Sequence, residues 1–229
     1  MKRFYKTATA VPSAGGVAIL LDERPVKTPG RHPLLVPTEE LAEAIAAEWN
    51  GQGENIDPRS MPLTGLANAA IDRVTPDPAA FADTLARYGE SDLLCYRAEG
   101  PRALVERQAE QWDALLDWAR HRFDIELETT CGVMHRPQPP ASVTRLAAAV
   151  AARDHFRLAG LSPLVTVSGS LIIALALAEG AISLEAGWAA ATLDEQWQAE
   201  QWGEDPLAAA AIAARRQDFD AAYRFLTLL

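Results

Sequence analysis

The chain has 229 residues, 49% of them hydrophobic and 23% charged, which fits one large or two small globular domains. Its formal net charge is -10 and its longest cluster of Lys and Arg is a pair, so the concentrated basic face that nucleic-acid binding requires is not expected. The longest uninterrupted apolar run, residues 171–178, is far shorter than the roughly 20 residues of a membrane-spanning helix, so membrane insertion is not expected either.

The cysteine content and the start of the chain bear on the compartment. Cys95 and Cys131 are too few for a disulfide framework, which indicates a reducing environment. The basic residues at positions 2–6 are not followed by the apolar run of a signal peptide. We therefore expect a cytoplasmic protein of bacterial type, unless a presequence has been removed.

The first 36 residues predict a small antiparallel sheet. Short runs of apolar and β-branched residues, such as residues 17–21, alternate with turn residues at 12–16 and 22–25. The pattern then changes to a helical period. Thr38 is the predicted N-cap of a helix in which Leu41, Ile45 and Trp49 share one face, and we interpret Trp49 first as a core residue where that helix packs on the sheet.

The rest of the chain predicts helices. Segment 55–62 is polar and interrupted by prolines, and it is the predicted hinge. The predicted helix starts lie at Asp77-Pro78, Pro101, Ser142, Ser168 or Ser170, Ser183 and Asp205-Pro206. The helix from Ser142 is expected to reach about residue 159, and the one from Ser183 about residue 202. The predicted fold is α+β, with a small antiparallel β-rich domain at 1–57 and a larger all-helical domain at 58–229.

No motif that carries chemistry is present. The chain contains neither G-x-x-x-x-G-K-[ST] nor G-x-G-x-x-G, and its four histidines and two cysteines lack metal-ligand spacing. No catalytic residue, metal site or cofactor is therefore predicted. Two alternatives to a protein-binding function stay open: an enzyme of unrecognised type that uses a pair of carboxylates, and a module in the helical domain that binds a small molecule or a peptide.

Residues 158–214 contain no Lys or Arg and seven acidic residues. Two interpretations stay open: a solvated acidic face beside a buried apolar helix, or a docking surface for a basic partner. Within this segment Trp188, Glu195 and Trp202 are spaced by seven, which places them near one line on a continuous helix. Aromatic residues beside a carboxylate are typical of binding hot spots, but aromatic stripes at helical spacing are also typical of cores.

The order and spacing of short motifs resemble a known family of F-type ATP synthase assembly chaperones, found in mitochondria and in alphaproteobacteria. The matching segments are residues 3–6 (RFYK), 21–29 (LDERPVKTP), 41–52 (LAxAIAxEWxxQ), 61–64 (MPLT), 70–72 (AID), 88–94 (YxESDLL), 168–171 (SGSL), 194–195 (DE) and 202–205 (WGED). The family usually has Gly at the position of Glu23 and Thr at the position of Ala69.

The resemblance implies a non-enzymatic chaperone that binds the unassembled alpha subunit and covers the surface that the beta subunit later takes. It implies a β-rich N-terminal and a helical C-terminal domain, and a mitochondrial-matrix location for eukaryotic members. We expect the chain to be a monomer. Structural roles are expected for Trp49 and Asp72. The predicted partner-binding residues are Glu195, Asp194, Trp188, Trp202, Glu204 and Asp205.

Overall fold

The computed structural model describes residues 1–132, 134–203 and 205–229. A small antiparallel sheet at the N-terminus is followed by a mostly helical remainder, so the predicted α+β class is confirmed. Across these described residues, no helix is at once long enough and apolar enough to traverse a membrane.

The described chain forms two compact units. The first contains Met1–Pro78 together with Asp154–Gly160 and Arg224–Leu229, and the second contains Ala79–Arg153 and Leu161–Tyr223. The first unit therefore draws on residues distant in sequence. The domain division between residues 57 and 58 stays a prediction.

The sheet of the first unit has four short strands. They are β1 (Ala8–Ser13), β2 (Gly16–Leu21), β3 (Arg24–Pro25) and β4 (Leu35–Val36). Strand β2 pairs antiparallel with each of the others. At the turn from β2 to β3 Asp22 takes the left-handed conformation (φ 54°) and Glu23 does not, so the backbone at position 23 does not require Gly.

The outer edge of β1 is blocked by a side chain. The Asn50 amide accepts from the Ala8 N–H and donates to the Ala8 carbonyl, each at 2.8 Å, which imitates a neighbouring strand. Pro12, four residues further along the strand, has no N–H to donate. These two features limit the pairing of β1 with a foreign strand.

Helix α1 (Glu39–Asn50) packs on the sheet as predicted. The Thr38 hydroxyl accepts from the Leu41 N–H at 3.3 Å, which confirms the predicted N-cap. Leu41 and Ile45 are fully buried, on the face that contacts β1 and β2.

A carboxylate of α1 fixes the start of the next helix. Glu48 accepts from the Leu63 and Thr64 N–H groups at 2.7 and 2.8 Å, at the N-terminus of α2 (Pro62–Ala69). A negative charge at this end also favours the helix dipole. A π-helical turn, Ala70–Val74, continues α2 and carries Asp72.

Eight further α-helices follow within the described residues. They are α3 (Pro78–Ala86), α4 (Arg102–Phe123), α5 (Pro140–Ala151), α6 (His155–Ser168), α7 (Leu171–Ala178), α8 (Leu184–Ala191), α9 (Leu193–Trp202) and α10 (Pro206–Thr227). Ser170 and Ser183 accept from backbone N–H groups as the predicted N-caps of α7 and α8. A parallel strand pair, β5 (Tyr96–Arg97) and β6 (Thr130–Cys131), is added to these helices.

The predicted helix from Ser142 is wrong at its start and in its length. The helix begins at Pro140, and Ser142 is buried inside it, where its hydroxyl donates to the Glu126 carbonyl at 2.6 Å. The chain then leaves the helix at residues 152–154. The Asp154 carboxylate accepts from the Arg157 N–H at 2.9 Å and so opens a separate helix, α6.

The predicted helix from Ser183 is likewise two helices. Thr192 lies between α8 and α9 with φ −114° and ψ 15°, outside helical geometry. Its hydroxyl donates to the Trp188 carbonyl at 2.8 Å and satisfies the end of α8. The single line of Trp188, Glu195 and Trp202 expected on one continuous helix therefore does not exist.

The core of the second unit is built around α7. Residues 171–177 are each at most 2% exposed. Helix α8 approaches closely at Gly187, where a Cβ atom would lie 2.9 Å from Leu177. The Asp92 carboxylate, also buried, accepts from the Ile172 N–H at 3.0 Å at the start of α7. Burial raises the pKa of Asp92 to about 6, against the lowering effect of hydrogen bonds from Ile172, Ser170 and Leu94.

Candidate partner-binding surface

Most acidic side chains of segment 158–214 are neutralised by residues outside it. Four of its glutamates form ion pairs with arginines, and the Asp194 carboxylate accepts from Gln108 Nε2 at 2.7 Å. The ion pairs are Glu179 with Arg122 and Arg153, Glu185 with Arg216, Glu195 with Arg215, and Glu200 with Arg107. Over its described residues, 158–203 and 205–214, the segment without basic residues therefore does not present a row of unpaired carboxylates.

Four predicted partner-binding residues nevertheless meet at one place. Trp188, Glu195, Trp202 and Asp205 line a single groove of about 810 Å³ beside α9 and α10. Asp194 belongs to the same helix as Glu195 but does not line the groove. Its carboxylate instead accepts the hydrogen bond from Gln108. Glu204 lies outside the described residues.

Trp188 forms the inner wall of this groove. Its side chain is 9% exposed, and its ring lies 5.4 Å from the ring of Phe219. The Arg216 guanidinium stacks over the indole at 5.4 Å while it pairs with Glu185. Trp188 is thus a core residue that also borders the groove.

Glu195 has one oxygen paired and the other unpaired. Oε1 accepts from Arg215 Nη2 at 2.7 Å, whereas Oε2 is buried and has no hydrogen-bond partner among the described residues. A buried acceptor without a donor costs about 1–3 kcal/mol. Because Oε2 has almost no accessible surface, a donor from another molecule would reach it only if the partly exposed Glu195 side chain turned toward the groove.

Trp202 and Asp205 are at the open end. Trp202, at the end of α9, is 79% exposed, and Leu207, in the first turn of α10, is 81% exposed. The Asp205 carboxylate accepts from the Leu207 N–H at 3.2 Å, which caps the start of α10 as the Asp-Pro signal predicts. The large apolar side chains of Trp202 and Leu207 are therefore both exposed to solvent.

The sequence interpretation missed the second wall of the groove. Ala208, Ala209 and Ile212 of α10 line it, and Arg215 provides the ion pair to Glu195. A signal was present in the sequence. Residues 206–214 contain no polar side chain, yet their burial pattern shows only Ile212 partly buried and the others exposed.

Trp49 and Asp72, predicted to have structural roles, are in the first unit. Trp49 is partly buried, with its ring 5.7 Å from Tyr5, and its carbonyl accepts from the Tyr5 hydroxyl at 2.6 Å. The indole Nε1 is buried without a hydrogen-bond partner among the described residues. Trp49 is therefore partly buried rather than a fully buried core residue, and its structural role stays a prediction.

Asp72 fixes the loop between β3 and β4. Its carboxylate accepts from the Thr28 hydroxyl at 2.7 Å and from the Gly30 N–H at 2.8 Å, and it contacts His32 Nδ1 at 2.9 Å. A Cβ atom on Gly30 would lie 2.6 Å from Asp72, so the loop requires glycine there. Burial tends to raise the pKa of Asp72, but the hydrogen bonds from His32, Thr28 and Gly30 outweigh it and lower that pKa.

Comparison with known proteins identifies the family. Residues 2–120 match the family model described as "ATP12 chaperone protein". The chain is 26% identical over 214 residues to "Protein atp12, mitochondrial" of Schizosaccharomyces pombe, an alignment that covers 88% of this chain and 74% of the relative.

Two bacterial crystal structures have nearly the same fold. Atp12 from Paracoccus denitrificans shares 47% identity at a TM-score of 0.95, with 99% of this chain and 97% of that chain covered. A putative chaperone from Agrobacterium tumefaciens shares 43% identity at a TM-score of 0.95, with 99% and 85% covered. The resemblance to ATP synthase assembly chaperones is thereby confirmed, and the chain belongs to the ATP12 chaperone family.

Proposed function

We propose that this ATP synthase assembly chaperone holds the unassembled alpha subunit through the groove beside α9 and α10. The observation that carries the proposal is the groove lined by both Glu195, whose Oε2 is unpaired, and the exposed Trp202. An unassembled subunit exposes an apolar interface that aggregates, and a reversible cap must protect that interface yet yield to the native neighbour. The wall on α10 is mainly apolar and supplies affinity, whereas the wall on α9 carries polar side chains such as Glu195 that would fix the position of the partner.

The charge of the second unit supports an encounter with a basic partner. This unit carries eleven Lys and Arg against twenty Asp and Glu, whereas the first carries ten against eleven. Because most of the acids in segment 158–214 are internally paired, this excess acts as a diffuse field rather than as a row of contacts. It accelerates association with a positively charged surface and weakens as ionic strength rises.

Binding without catalysis is part of the proposal. Membership of a family described as chaperones supports this part of the proposal. We propose a monomer that works in the bacterial cytoplasm, with the mitochondrial matrix as the location for eukaryotic relatives. The bacterial crystal structures and the mitochondrial name of the fission-yeast relative support these compartments.

The test is co-expression of the chain with the alpha subunit alone, scored by the amount of alpha subunit that is soluble and co-purifies. Glu195→Lys should abolish co-purification, because it places a cation at the groove beside Arg215. The pair it breaks is partly exposed, with side-chain exposures of 38% and 40%, so the folded state should lose only about 0–1 kcal/mol.

Glu200→Lys is the matched control. Glu200 is also on α9 and paired with an arginine, but it does not line the groove. Both variants change the net charge equally, so Glu200→Lys should still co-purify. Unchanged binding by a folded Glu195→Lys protein, or equal loss in both variants, would refute a docking role for Glu195.

A further inference from the structure

The first half of α10 is apolar on every side and has no cover in the described chain. Residues 206–214 are one proline, one leucine, one isoleucine and six alanines, and only Ile212 is partly buried. A helix that is apolar all round is normally interior. This stretch spans about 13 Å, roughly two and a half turns, and it forms one wall of the groove.

The walls of the groove favour a helix as the occupant. Both walls are α-helices whose backbone groups are hydrogen-bonded within the helix, and the α10 wall offers alanines and one isoleucine. An extended segment buried there would leave its own N–H and C=O groups without partners along that wall. A helix satisfies its backbone internally, and alanines allow helix axes to approach to about 8 Å.

Glu195 adds a polar requirement. Its Oε2 is buried in the groove without a partner, while Oε1 is already held by Arg215. An occupant that brings a guanidinium, an ammonium or a side-chain amide would satisfy this oxygen once the partly exposed Glu195 side chain turns toward it. A wholly apolar occupant would leave the carboxylate oxygen sealed and unpaired.

We propose that the groove receives one amphipathic α-helix of the partner protein, with small apolar residues against Ala208, Ala209 and Ile212 and a donor side chain at Glu195 Oε2. This inference rests on the proposed function and names the kind of segment that the chaperone holds. It also assigns binding residues on α10 in addition to Glu195 and the tryptophans.

Two neighbouring alanines provide a matched test. Ala209 lines the groove and Ala210 does not, although both are exposed on the same helix. Ala209→Glu should weaken co-purification of the alpha subunit at least tenfold, because it puts a bulky charge where the helices meet. Ala210→Glu should change it less than twofold, and both variants should keep the melting temperature of the unmodified chain. Binding by the Ala209→Glu protein equal to that of the unmodified chain, or equal weakening in both variants, would overturn the inference.

The outcomes separate this inference from the proposed function. If the unmodified chain binds and Glu195→Lys does not, but Ala209→Glu binds normally, the helix-binding groove is refuted and the proposed function stands. If the unmodified chain does not bind the alpha subunit, both fail. The other occupant that this groove could take is a second copy of the chain, and analytical ultracentrifugation of the chain alone tests for it. A dimer that Ala209→Glu dissociates and Ala210→Glu does not would place that second copy in the groove and overturn the inference.

Discussion

Two helical stretches of nearly the same character have opposite surroundings. Helix α7 and residues 206–214 of α10 both lack polar side chains, but residues 171–177 are at most 2% exposed, whereas Leu207 is 81% exposed. Helix α7 is covered by α8 and α4, and the α10 stretch lies open along the groove. Apolar composition therefore marks a helix for burial without saying which molecule buries it.

The difference in burial between the two stretches is tested most strongly by placing the same charge in each of them. Ile173→Asp puts a carboxylate at a fully buried site of α7 and should cost about 4 kcal/mol or more in the free energy of unfolding. Leu207→Asp changes an exposed side chain and should cost about 0.5 kcal/mol or less. Urea denaturation measures both. Similar losses in the two variants would contradict the difference in burial on which the comparison depends.

Tryptophans extend the comparison to the first unit. Trp49→Arg should destabilise the protein by about 3 kcal/mol or more, because the cation replaces a ring packed on Tyr5 near buried Leu41 and Ile45. Trp202→Arg should leave the melting temperature unchanged, since that indole is 79% exposed. Calorimetry of the two variants distinguishes them. A normal melting temperature for Trp49→Arg would refute the interpretation of Trp49 as a packing residue.

Asp92 makes the stability of the α7 core depend on pH. Its pKa is raised from 3.8 to about 6 by burial, so between these values the folded state holds a proton that the unfolded state has released. Stability should therefore fall by about 3 kcal/mol as pH rises from about 3.5 to 7, at about 1.4 kcal/mol for each pKa unit. The unfolding free energy of the unmodified chain relative to Asp92→Asn isolates this contribution. A difference that is constant across the range would contradict it.

Asp72 should show the opposite dependence at a smaller magnitude. Its pKa is lowered by hydrogen bonds from His32, Thr28 and Gly30, so its contribution is present above the unfolded value near 3.8 and is lost as pH falls through the folded value. Asp72→Ala leaves these donors unpaired and should cost about 1–3 kcal/mol at pH 7. His121→Ala, at an exposed position of α4, serves as a surface control and should be neutral. A loss from Asp72→Ala that persists unchanged at pH 3 would show that the carboxylate charge is not responsible.

Local signals explain what could be predicted from the sequence. Thr38, Ser170 and Ser183 cap helices through bonds to residues three positions away, so their roles are visible in the neighbouring sequence. The break at Thr192 has no Gly or Pro to mark it, and it was therefore missed. The order of short motifs was enough to identify the family.

The groove could not be predicted, because its determinants are tertiary. The arginines that neutralise Glu200, Glu179 and Glu195 lie 93, 57 and 20 positions away in the chain. Net charge along a segment contains no information about such pairings. The exposed state of residues 206–214 likewise follows from the absence of a covering element in the described chain, whereas their composition alone resembles that of a buried helix.

Amide hydrogen exchange of the chain, alone and in complex with the alpha subunit, tests the central claim most directly. Exchange at residues 206–214 should slow at least tenfold in the complex, while residues 171–178, already enclosed by the fold, should show little change. A complex that forms while exchange across residues 206–214 stays as fast as in the free chain would contradict the account and place the partner elsewhere on the molecule.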